Sequence, residues 1–146
     1  MAINKDLRLF LVDDDIFCLN LYQQFLTKLG AENISCYTGG KDCIDHLIER
    51  PHIIFLDYNM DEMNGLDVLQ AIKAFDKDIA VVFISGQEQV DIAVNALKHG
   101  AFDYIVKSKI TPELLSDTIN RITATLNIEV KPAKKSFLGK LGLARS

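Results

Sequence analysis

The sequence contains no tryptophan, and only three prolines and three cysteines among its 146 residues. Cys18, Cys36 and Cys43 are odd in number and form no CxxC pair, which argues against a disulfide framework and a zinc site; they are expected to be buried free thiols. Long apolar runs are missing too. The longest, Ile79 to Ile84, is six residues, far short of the ~18 needed to cross a bilayer, so no membrane span is expected. The apolar stretch before the acids at 13–15 is too short for a secretory signal, which makes the cytoplasm the expected location. What is present is ordinary for a folded chain: 49% hydrophobic and 25% charged residues, a length that suits one domain around a single core.

Acidic residues are absent from 131–146, which carry Lys131, Lys134, Lys135, Lys140 and Arg145. The net charge of −4 therefore divides into a body of −9 and a tail of +5. The body is expected to repel nucleic acid, and only the tail could attract it.

Five short runs rich in β-branched or aromatic residues, at 7–12, 34–37, 52–57, 79–85 and 102–107, predict strands. They are mostly apolar without alternation, as strands covered on both faces should be. Between them apolar residues recur at helical spacing. The stripes are Cys18, Leu21, Tyr22, Phe25, Leu26 and Leu29; Cys43, Ile44, Leu47 and Ile48; Leu66, Leu69 and Ile72; Val90, Ala93, Val94 and Leu97; and Leu115, Ile119, Ile122 and Leu126. Gly30 and Gly100 stand where left-handed caps would end the first and fourth helices, Pro51 closes the second, and Thr111 with Pro112 reads as the start of the fifth. This alternation predicts an α/β fold with parallel strands, right-handed crossovers and helices on both faces of an open sheet.

In such a sheet, sites form outside the carboxyl ends of the strands. The runs end there in Asp13, Asp14 and Asp15, in Asp57, in Ser85 and in Lys107. Carboxylates converging on one edge repel one another unless protonated, paired with a base or bridged by a metal. All-oxygen ligands favour a hard cation, and Mg²⁺ fits best, with a position left open to a phosphate oxygen. Lys107 adds a point charge and Ser85 a hydroxyl donor, as a phosphoryl group requires.

The segments FLVDDD (10–15), LDYNMDEMNG (56–65), VFISG (82–86) and YIVK (104–107) resemble the receiver domain of two-component response regulators, close to the single-domain chemotaxis type. The likeness runs from about Leu7 to Leu126. It implies a flavodoxin-like fold of five parallel strands in the order 2-1-3-4-5, with residues 1–128 as the receiver domain and 129–146 as a basic flexible tail or linker remnant. It makes Asp57 the phosphoacceptor, phosphorylated by a histidine kinase or histidine phosphotransfer protein. Asp14 would ligate Mg²⁺ directly and Asp13 through water, with Asp57 and the backbone carbonyl of Asn59 completing the protein ligands. Ser85 and Lys107 would contact the phosphoryl oxygens, and Gly86 would leave access open. Ser85 and Tyr104 would form a switch read on the face made by the fourth helix, fifth strand and fifth helix, by a downstream protein or a phosphorylation-dependent second copy. Such a domain is a signalling phosphoacceptor and not a turnover enzyme.

Plainer roles suit other residues. Asp15 reads as a helix cap, Met60 and Met63 as packing, and His46, His52 and His99 lack metal-ligand spacing. Two positions depart from the family's usual prolines: Asp61 adds a carboxylate and freedom to the loop after Asp57, and Ser108 leaves the approach of Lys107 open between a cis and a trans peptide. A flavodoxin-type cofactor binder would need a Ser, Thr and Gly-rich loop where the chain has three acids, and a dehalogenase-type phosphatase a second acid at Asn59. A phosphorylation-independent interaction module on the same fold is the alternative reading. In the tail, Phe137, Leu138, Leu141 and Leu143 interleave with basic residues, while Gly139 and Gly142 weaken any helix.

Overall fold

The structure is a computed structural model that describes residues 2–130. The basic stretch from 131 to 146, and with it the expectation of a flexible tail, lies outside the described residues. In chain order the elements are β1 (Arg8–Val12), α1 (Ile16–Lys28), β2 (Asn33–Tyr37), α2 (Gly40–Asp45), β3 (Ile53–Asp57), α3 (Gly65–Phe75), β4 (Ala80–Ser85), α4 (Val90–Lys98), β5 (Asp103–Val106) and α5 (Pro112–Leu126). The five strands are all parallel and lie in the order β2-β1-β3-β4-β5, the doubly wound flavodoxin-like arrangement.

Every residue of β3 and β4 is buried, which explains why these runs are continuously apolar. One face of the sheet packs Leu9, Leu11, Phe55, Val82 and Ile84 against α1 and α5 through Leu19, Tyr22, Leu26, Leu115, Ile119 and Ile122. The other packs Phe10, Ile54, Leu56, Val81 and Phe83 against Cys43, Val68, Leu69, Ile72 and Ala96. Successive side chains of a strand point to opposite faces, so one apolar run feeds both cores. Ile128 and Val130 still pack against the first core after α5 ends.

The local signals hold where backbone chemistry governs them. Gly30 and Gly100 both take φ of 107°, and Thr111 Oγ1 accepts from Leu114 N at 3.1 Å with Pro112 behind it. Asn127 ends α5 in the left-handed region. Three expectations need correction. The fourth stripe does not face the core: Val90, Val94 and Leu97 are 75%, 45% and 47% exposed, and Ala96 carries the burial. A small residue lets the helix backbone approach the sheet, and the larger apolar side chains are left on the outer side. The second stripe breaks after Asp45 into a 3₁₀ turn at Leu47–Glu49, which leaves Ile48 78% exposed. Of the thiols only Cys43 is buried; Cys18 is half-buried, and Cys36, on edge strand β2, is exposed.

Gly65 opens α3 where its amide donates to Tyr58 O at 2.9 Å. A Cβ there would meet Phe83 Cε1 at 2.7 Å and Tyr58 Cα at 2.9 Å. Gly65→Ala should therefore destabilise the fold by about 1–3 kcal/mol, the usual penalty of overpacking, and a denaturant titration measures it. His52, behind β3, accepts from Arg8 N at 2.9 Å through Nδ1. Burial, then the nearby Arg8 charge, pushes its pKa down to about 4. The unfolded chain binds this proton near pH 6.5 and the folded chain does not, so the His52 contribution lowers stability as pH falls from about 6.5 to about 4. Compared with His52→Gln, which cannot titrate, the wild type should lose up to about 2 kcal/mol more between pH 7 and 5 in paired denaturation curves.

Candidate functional site

The register of the sheet brings the chemical groups together. Val12 lies opposite Leu56, Asp57 opposite Ile84, and Ser85 opposite Val106. Asp13, Asp57, Ser85 and Lys107 therefore occupy one carboxyl edge, on both sides of the place where strand order reverses between β1 and β3. Lys107 itself lies just past β5, in a 3₁₀ turn at Lys107–Lys109, and not in the strand as the sequence pattern suggested. Asp57, Asp13 and Ser85 are buried, whereas Asp14 is exposed at the rim.

Lys107 Nζ stands 3.0 Å from Asp13 Oδ2 and 3.7 Å from Asp57 Oδ2. Asp13 Oδ1 accepts from Asp15 N at 2.9 Å, but its buried Oδ2 has no aligned hydrogen bond and depends on the ammonium charge. Asp57 Oδ1 accepts a long bond from Asn59 N at 3.4 Å. Burial, followed by repulsion from Asp13, holds the Asp57 carboxyl well above the ordinary range, and Lys107 only partly offsets this. Lys107 is held above its usual value because the two carboxylates outweigh its own desolvation. One oxygen from each of Asp13, Asp14 and Asp57 lies within 4.8 Å of the others, so the three could share a cation.

The surrounding loops are tied to this edge. Ser85 Oγ accepts from Gln87 N at 3.1 Å, and Gln87 O accepts from the Tyr104 hydroxyl at 3.0 Å. Tyr104 is half-buried, its ring 6.1 Å from Tyr58 and 6.5 Å from Phe83. A Cβ on Gly86 would meet nothing within 4 Å. Asp14 Oδ2 accepts from Asp61 N at 3.4 Å, so the loop after Asp57 leans on the rim acid. No cis peptide occurs among the described residues, and Ser108 follows Lys107 through a trans bond. Asp15 caps α1 by accepting from Phe17 N at 2.9 Å; His46 is half-buried and stacked on Tyr37, His99 is exposed, and neither belongs to the acidic cluster.

Sequence reasoning did not single out three residues at this edge. Gln87 bridges Ser85 and Tyr104 through its backbone, which no side-chain pattern announces. Cys18 and Tyr22 were read as core stripe, yet Cys18 Sγ lies 3.9 Å from Lys107 Nζ. A groove of about 570 Å³ at the opposite edge, lined by Arg8, Arg50, Lys73 and Leu126 among others, holds no convergent reactive set.

Fold and edge together define a doubly wound α/β domain with an acidic, lysine-bearing cleft at its switch point. The chain belongs to the response regulator receiver domain family, a signalling domain of two-component systems, whose family model matches residues 9–120. The chemotaxis protein CheY of Thermotoga maritima is 30% identical over 117 residues, covering 80% of this chain and 97% of that protein. The luminescence regulatory protein LuxO of Vibrio campbellii is 30% identical over 140 residues, covering 93% of this chain but only 31% of LuxO. The chain thus spans about a third of the length of the LuxO relatives it matches. Among solved structures, the signal receiver domain of a putative LuxO repressor protein from Vibrio parahaemolyticus superposes with a TM-score of 0.73 at 28% identity, covering 94% of this chain and 98% of that one.

The strained carboxylates make a stability prediction. Asp57 gains a proton more easily folded than unfolded, so its contribution is fully present below about pH 3.8 and is lost as pH rises through about 7. With a chelator present, Asp57→Asn should raise stability at pH 7.5 by about 1–3 kcal/mol and remove this part of the acid-side gain; denaturation curves at pH 7.5, 6 and 5 measure both.

Proposed function

We propose that Asp57 is the phosphoacceptor of this receiver domain and takes its phosphoryl group from a phosphohistidine on a histidine kinase or phosphotransfer protein. The observation that carries the reading is the contact of one ammonium, Lys107, with two buried carboxylates on adjacent strands. A carboxylate oxygen of Asp57 attacks phosphorus in line as the bond to the imidazole nitrogen breaks. An oxygen–phosphorus bond forms, and the departing nitrogen keeps the electron pair and is neutralised by a proton. Lys107 stabilises charge on the phosphoryl oxygens, and Ser85, buried beside an unobstructed Gly86, offers its hydroxyl to them.

The donor set fits a hard divalent cation: three carboxylates cluster beside one ammonium, and the buried Asp13 Oδ2 is met by that ammonium without an aligned hydrogen bond. Asp13, Asp14, Asp57 and the Asn59 backbone carbonyl would hold Mg²⁺, whose charge would offset the carboxylates and the incoming phosphoryl group.

The switch runs through Gln87. Drawing the Ser85 hydroxyl toward new phosphoryl oxygens withdraws the acceptor of the Gln87 amide, and Gln87 O is the acceptor of the Tyr104 hydroxyl. Tyr104 is thereby freed to turn toward the space by Ser85, changing the face of α4, β5 and α5. The exposed Val90, Val94 and Leu97 suit that face to a downstream protein or a second copy. On this reading residues 1–128 are the signalling unit, act in the cytoplasm and catalyse nothing beyond their own phosphoryl transfer and its reversal by water.

Incubation with Mg²⁺ and an acyl phosphate should add one phosphoryl group, detected by intact mass. Asp57→Asn should abolish uptake, and Lys107→Met should slow it by about a hundredfold. No uptake by the wild type, together with retained pathway activity of Asp57→Ala, would instead favour the phosphorylation-independent interaction module.

A further inference from the structure

Lys107 is weakly held by its own segment. It begins a single 3₁₀ turn with no side-chain cap, no buried residue and a closing bond of 3.3 Å from Ile110 N to Lys107 O. Its side chain is 25% exposed. A long, flexible side chain on such a turn has many conformations, and only a few bring the ammonium to the Asp57 oxygen that receives phosphorus. The attraction of Asp13 does not select those few, because it draws Nζ to 3.0 Å from its own oxygen and leaves Asp57 at 3.7 Å.

The third group at the ammonium comes from α1. Cys18 Sγ accepts from Lys107 Nζ at 3.9 Å. The Tyr22 hydroxyl, one helical turn further on, is a neighbour of the same thiol. Tyr22 is 4% exposed and packed in the core between α1, α5 and the sheet, so its hydroxyl is fixed by the packing of its ring. A buried tyrosine thus stands next to a half-buried sulfur, and that sulfur contacts the Lys107 ammonium.

We infer that Cys18, braced by Tyr22, is a positioning residue that holds Lys107 between Asp13 and Asp57. The inference rests on the phosphoacceptor reading above and adds to it a contact from α1. Sulfur is a weak, polarisable acceptor, so the contact guides the ammonium without trapping it, and Lys107 stays free to move onto the phosphoryl oxygens. Cys18 touches no reacting atom and acts only through Lys107.

The test compares Cys18→Ala, Cys18→Ser and Tyr22→Phe in the full chain, with Mg²⁺ and an acyl phosphate as the phosphodonor. Cys18→Ala should lower the maximal phosphorylation rate about five- to tenfold, with the half-saturating donor concentration and the Mg²⁺ affinity each within about twofold of wild type. Cys18→Ser keeps an acceptor and should recover to within about threefold. Tyr22→Phe should show a smaller loss that is not additive with Cys18→Ala. A wild-type rate in Cys18→Ala, or an equal loss in Cys18→Ser and Cys18→Ala, overturns the inference.

A separate readout needs no phosphorylation. The side-chain nitrogen resonance of the Lys107 ammonium, in protein without donor, should shift in Cys18→Ala and return toward the wild-type position in Cys18→Ser. If it is unmoved in both, the positioning role is wrong. If it moves as expected while wild-type protein accepts no phosphoryl group, the contact stands and the phosphoacceptor reading fails.

Discussion

Two carboxylates excluded from water on neighbouring strands, held by one ammonium, are the constraint on which the rest of this structure depends. Burial and the neighbouring Asp13 hold the Asp57 carboxyl above the ordinary range, and Lys107 reaches Asp13 more closely than Asp57. The resulting strain is chemically useful. A site that disfavours its own negative charge favours whatever neutralises it, and on the proposed reading a divalent cation would supply the charge that three acids and one lysine lack. On the proposed reading, stability at this edge is exchanged for readiness to bind a metal and a phosphoryl group.

The same edge is mechanically connected to the surface. Ser85 and Tyr104 share Gln87, one through its amide and the other through its carbonyl, which is the link the proposed switch would use. The loop leads into α4, which buries little besides Ala96. A helix with so few core contacts is among the easiest elements of the fold to shift, and it presents Val90, Val94 and Leu97 to solvent. The rigid part of the machine is the reverse case: β3 and β4, buried throughout, carry Asp57 and Ser85.

Much of this was legible in the residues alone. Strand runs covered on both faces, capping residues at Gly30, Gly100 and Thr111, and reactive groups at the ends of the runs all follow from local chemistry. The misreadings concern where elements are placed, not what they are. Apolar spacing shows that a helix has a face but not which way the face is turned, so Val90, Val94 and Leu97 read as core although Ala96 makes the contact with the sheet. Cys36 read as buried because cysteine usually is, but β2 is an edge strand and leaves it exposed.

The sequence by itself determined the alternation of strands and helices, the chemical identity of the edge and, through its motifs, the family. Those properties depend on residue type, period and order along the chain. Only the tertiary structure decided which of these groups touch. Asp13 and Cys18 lie far in the chain from Asp57, and all three from Lys107; their approach within 4 Å of its ammonium is set by parallel register and helix placement. The trans path through Ser108 and the Gln87 bridge belong to the same category, since both are backbone geometry and leave no trace in side-chain pattern.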